Sequence, residues 1–76
     1  MNAMEKLEKM ANDMGMLTSG NGNYLDIGFR EEWFRVRWRS IRGSGGLAEL
    51  FFEDLLTRVP DKLRAMLDEA NGVSHT

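Results

Sequence analysis

The sequence predicts a small α+β fold with three parts. They are an N-terminal helix, an antiparallel β-hairpin that extends to a three-stranded meander if one further segment joins it, and two C-terminal helices packed on one face of the sheet. Three observations carry that prediction. Apolar residues recur at three- and four-residue steps near both ends of the chain, and period-two alternation occupies the middle. Breaks rich in Gly and Asn separate the two regimes.

Residues 3–14 read as an amphipathic helix. Met4, Leu7, Met10 and Met14 mark its apolar stripe, Asn2 fits the N-cap, and Glu5, Lys6, Glu8 and Lys9 mark the solvated side. Asn12, Asp13 and Gly15 are poor helix formers and end it. Thr18–Asn23 is a turn or loop built around the hairpin dipeptide Asn21-Gly22, so Met16–Thr18 stands equally well as a short extra strand or as part of that loop.

Tyr24–Phe29 and Phe34–Ile41 both alternate and form the predicted hairpin, joined by Arg30-Glu31-Glu32-Trp33. With Phe29 opposite Phe34, Ile27 faces Val36 and Leu25 faces Trp38 on one side. Gly28–Arg35, Asp26–Arg37 and Tyr24–Arg39 face each other on the other side. A slip of one residue would bury arginines.

Arg42–Gly46 is a flexible connection. Leu47–Thr57 reads as a helix with a broad apolar stripe, and Pro60 stops it. Asp61–Ala70 is a second short helix, with Leu63, Met66, Leu67 and Ala70 inward and Asn71-Gly72 as its stop. Residues 1–72 thus form one domain, and residues 73–76 a flexible C-terminal tail.

A chain of 76 residues buries only roughly 60% of its unfolded surface, so stability is marginal and homodimerisation is an available route to further burial. Met4, Met10, Met14 and Met66 most simply fill the core, although methionines also suit adaptable interfaces. The neighbours Phe51 and Phe52 cannot both point at one core from one helix.

Enzymatic machinery is sparse. There is no Cys, and His75 is the only His, in the expected tail. Nucleophilic triads are therefore missing in their usual forms, and no cofactor or metal constellation is predicted. The glycines of residues 43–46 lack the Lys-Ser/Thr ending of a phosphate-binding loop. No apolar run reaches the ~20 residues that span a bilayer, and the first residues lack the apolar core of a signal peptide. A cytoplasmic location is expected.

Charge is the informative feature. The formal net charge is −2, yet residues 30–42 hold five arginines against Glu31 and Glu32. Glu49, Glu53, Asp54, Asp61, Asp68 and Glu69 are placed on the C-terminal helices as an acidic surface. The polar face of the hairpin collects Tyr24, Arg35, Arg37 and Arg39, with Arg30 and Trp33 at the turn and Arg42 at the far edge. Arg forks suit phosphates, and an aromatic beside them suits base stacking. The same residue types dominate protein-binding hot spots. A plain solvated strand face, with Asp26 paired to Arg37, is the bland alternative.

The order α-β-β-β-α is shared with the double-stranded-RNA-binding fold, but the Lys-rich start of that fold's last helix is missing, since this segment begins Leu47-Ala48-Glu49. The β-hairpin, the glycine loop and the acidic helix give only a distant topological similarity to small antitoxin-like and phage-encoded modules, with no diagnostic motif, so no family is assigned. The expectation is a non-catalytic interaction protein, an adaptor or inhibitor such as a phage or mobile-element accessory protein. It would dock on a larger protein or nucleoprotein complex, with direct nucleic-acid binding through the same residues as the alternative.

Overall fold

A computed structural model of the chain describes residues 1–41, 43, 45–54 and 58–72. Helix α1 spans Ala3–Asp13, and four strands follow: β1 (Leu17–Gly20), β2 (Tyr24–Phe29), β3 (Glu32–Ser40) and β4 (Ala48–Phe52). Helix α2 (Asp61–Ala70) comes last. The strands form an antiparallel meander in the order β1-β2-β3-β4.

Helix α1 starts on a capping box. The Asn2 side chain accepts from the Glu5 amide at 2.9 Å, and the Asn2 amide donates to the Glu5 carboxylate at 3.3 Å. Two otherwise orphaned donors are satisfied reciprocally. Met4, Leu7 and Ala11 form the buried stripe, and Met14, expected in the core, is half exposed at the helix end.

The uncertain segment after the helix is a strand, placed at Leu17–Gly20. Gly20 is required there, because a Cβ would collide with the Tyr24 carbonyl oxygen.

The β2–β3 hairpin keeps the predicted faces with a register two residues away. Tyr24 pairs with Arg37, Leu25 with Val36, Asp26 with Arg35, Ile27 with Phe34 and Gly28 with Trp33. The connection is only Arg30-Glu31, and both residues have positive φ, 53° and 65°. That is the backbone of a tight primed turn, which normally uses Asn and Gly. Arg-Glu carries no such signal, so a longer loop was expected. A shift of two leaves every side chain on its own face, so hydrophobic patterning cannot detect it.

The larger correction is at the C-terminal side. Ala48–Phe52 is not helical; it is β4, paired with β3 from Val36↔Phe52 to Ser40↔Ala48. Residues 55–57 of the expected helix lie outside the described residues, as do residues 73–76 of the expected tail. Five residues are too few for periodicity to separate helix from strand. The open edge of β3, whose backbone groups need partners, decides the matter. As a strand, β4 also resolves the Phe51–Phe52 conflict by sending Phe52 into the core and Phe51 to the other face.

One helix therefore follows the sheet among the described residues, packed against α1. Both helices contribute to a core with Leu25, Ile27, Phe34, Val36, Leu50 and Phe52 from one face of the sheet. Residue 71 guards the outer edge of β4. The Asn71 side chain accepts from the Leu50 amide at 2.8 Å and donates to the Leu50 carbonyl at 3.0 Å, standing in for a neighbouring strand.

Candidate functional site

The helices cover one face of the sheet, and the arginines lie on the other. Strict alternation along β3 sends Phe34 and Val36 inward and Trp33, Arg35, Arg37 and Arg39 outward. Tyr24, Asp26 and Gly28 of β2 share the outer face with Glu49 and Phe51 of β4, and Glu53 follows just beyond that strand.

Each of the three outward arginines has a carboxylate. Arg35 grips Asp26 in a two-pronged bond, Nε to Oδ1 at 2.7 Å and Nη2 to Oδ2 at 2.9 Å. Arg37 Nε donates to Glu53 at 2.8 Å, and Arg39 Nε donates to Glu49 at 2.9 Å. The bond from Arg35 holds the Asp26 carboxyl below its ordinary range, against an opposing effect of burial and with help from the Arg35 and Arg37 charges. It likewise raises the pKa of the Arg35 guanidinium.

Rings complete the arrangement. The Arg35 guanidinium lies 4.1 Å from the centre of the Tyr24 ring, and that of Arg39 lies 5.3 Å from Phe51. These contacts keep the arginine stems flat on the sheet.

At the end nearer the Arg30-Glu31 turn the face becomes apolar. Trp33 is 54% exposed and Leu17 is 68% exposed. They flank Gly28 in one row across three strands, and a Cβ on Gly28 would touch both side chains at ordinary contact distance. Arg30 leaves this face and stacks over Phe29 at 4.9 Å. Glu32 pairs with Arg58 at 3.1 Å.

The structure thus brings Tyr24, Trp33, Arg35, Arg37 and Arg39 together, sets Arg30 apart at the hairpin tip, and leaves Arg42 outside the described residues. The sequence reading missed Leu17, Phe51, Glu49 and Glu53. The two glutamates had been assigned to an acidic helix, yet they stand beside the arginines. The available signal was the alternation Glu49-Leu50-Phe51-Phe52-Glu53 itself, with charge at both ends of one face. Asp26 pairs with Arg35 where Arg37 had been expected, a consequence of the two-residue shift in register.

Among the described residues, no three His, Cys, Asp or Glu side chains converge as a metal site would require. Nor is any helix among them long and apolar enough to cross a membrane. Compared with protein-family models, with curated proteins and with solved structures, the chain matches none of them. Fold and site together define a class: a two-layer α+β domain presenting an open, charge-paired sheet face.

Proposed function

We propose that this chain is a non-catalytic interaction protein that docks on another protein through the open face of its sheet. The observation that carries the reading is the composition of that face. Its three arginines are matched by three carboxylates held within the same molecule, beside Trp33, Tyr24, Phe51 and Leu17. Its cations are Arg and not Lys, and its rings are partly exposed. Protein interfaces favour that mixture, because Arg is weakly hydrated and aromatic rings bring much area with few rotors.

The same pairing argues against nucleic acid. Phosphate contacts draw their free energy from cations that release counterions on binding. An arginine already neutralised by its own carboxylate must give up that bond first, and the carboxylate left behind repels the phosphate.

Two measurements test the proposal. Titration with single- and double-stranded oligonucleotides at two salt concentrations, read by Trp fluorescence, should show no salt-dependent binding. Wild-type, Trp33→Asp and Glu8→Lys baits, compared side by side, should capture a partner that only Trp33→Asp loses. Tight oligonucleotide binding that falls with salt and disappears in Arg37→Ala would overturn the reading.

A further inference from the structure

We infer that the occupant of the open face is a second copy of this chain, packed sheet against sheet about a two-fold axis. This rests on reading the face as a protein-docking surface, and it names the partner. A two-fold interface uses one patch twice, so the patch must complement itself. A face of a single sign fails that condition. Among the described residues this one carries three arginines and three carboxylates, sorted into columns: Asp26 on β2, Arg35, Arg37 and Arg39 on β3, and Glu49 and Glu53 along β4 and its end.

The register specifies how the columns would meet. An axis running along the strands between β2 and β3 lays β2 of each copy over β3 of the other. Residues paired across β2 and β3 within one copy then lie opposite each other between copies. Asp26 meets the second copy's Arg35, and Tyr24 meets the second copy's Arg37. The Trp33–Gly28 row meets the same row reversed. The two Asp26–Arg35 pairs close into a ring of four alternating charges. Aligned sheets pack about 10 Å apart, a gap that Arg and Trp side chains fill.

The size is adequate. Strands spaced about 4.8 Å apart, five or six residues long, give a patch roughly 20 Å on a side, of order 500–700 Å² accessible area per copy. Two such patches bury a little over ~1,000 Å², enough for a specific dimer at the small end of the range. The two helices already occupy the opposite face, and Asn71 obstructs edge pairing along β4.

Sedimentation of the full chain across a wide concentration range tests this. The wild type should pass from monomer to dimer as concentration rises, and Trp33→Asp, at an exposed position, should remain monomeric. The decisive arm uses two charge variants. Asp26→Arg places two cations in the central row and Arg35→Asp two anions, so each alone should be monomeric. An equimolar mixture should recover a heterodimer, with circular dichroism showing both variants folded. If either variant fails to fold, Tyr24→Arg (two cations in the row) and the double variant Tyr24→Glu/Arg37→Glu (two anions) repeat the design one row along.

A wild type that stays monomeric at every concentration, or a dimer indifferent to Trp33→Asp, would overturn the inference. A monomer that still captures another protein through Trp33 sinks the dimer alone. A monomer with no capture that depends on this face sinks the docking reading as well.

Discussion

Strand β3 shows two solutions to the same problem on its two sides. Inward, Phe34 and Val36 are at most 2% exposed and lie within the shared apolar core. Outward, one residue away each time, Arg35, Arg37 and Arg39 are held by carboxylates and rings. The inner face is stabilised by area, which is indifferent to the partner's identity. The outer face is stabilised by directed pairs, each of which needs one residue in one place. A local charge of one sign along the chain therefore says little about the surface it forms. The five arginines clustered in residues 30–42 contribute three to a face that is balanced overall.

The inner face should break hardest. Ile27→Ala, at a fully buried position, is expected to cost about 2–4 kcal/mol by chemical denaturation, through lost burial and the cavity left behind. In a domain this small that loss approaches the whole stability. A cost under about 1 kcal/mol would mean that the helices grip the sheet only loosely.

The guarded edge should come next. Asn71→Ala leaves the Leu50 amide and carbonyl without their partner and should cost about 1–3 kcal/mol. It should also promote association through β4, visible as concentration-dependent oligomers that Trp33→Asp does not suppress.

On the outer face, Asp26→Asn should cost about 1 kcal/mol near neutral pH, after allowing for solvent screening of its exposed partner. The sign of its pH dependence follows from the lowered carboxyl pKa. The folded state holds the proton less tightly than the unfolded chain, whose value is near 3.8. The stabilisation is therefore complete above that value and disappears as pH falls through the lower folded value. Urea titrations should show a constant gap between wild type and variant above about pH 5, closing in stronger acid. A gap that widened in acid would contradict the pairing.

The smallest effect is expected at the hairpin tip and is of opposite sign. Glu31 sits at φ 65°, where Gly is unstrained. Glu31→Gly should raise stability by about 0.5–1 kcal/mol, read as a higher melting temperature. If it does not, a contact of the Glu31 side chain offsets the strain.

Much of this was legible in the chain. The 3.6-residue repeat of Met4, Leu7 and Ala11, the cap at Asn2, and the alternation in β2 and β3 are local signals backed by burial, and they gave α1, the hairpin and its two faces. Helix α2 was legible for the same reason, with Pro60 as its start. Tyr24, Arg35, Arg37 and Arg39 followed from alternation alone, since period two assigns every residue of a strand to a face, whereas Trp33, expected in the turn, joins that face because the turn is only two residues long.

What the sequence left open was settled between segments distant along the chain. The hairpin register depends on a turn whose residues carry no turn signal, and a slip of two residues costs nothing in hydrophobic pattern. Whether residues 48–52 form helix or strand depends on the unpaired edge of β3, which exists only once the hairpin has formed. From that one pairing follow the positions of Glu49, Phe51 and Glu53, and with them the balance of charge on the open face. The chain by itself determined which side of α1, β2, β3 and α2 faces inward, because that follows from local periodicity. Only the tertiary structure decided which charges meet, because an ion pair belongs to two strands and to neither alone.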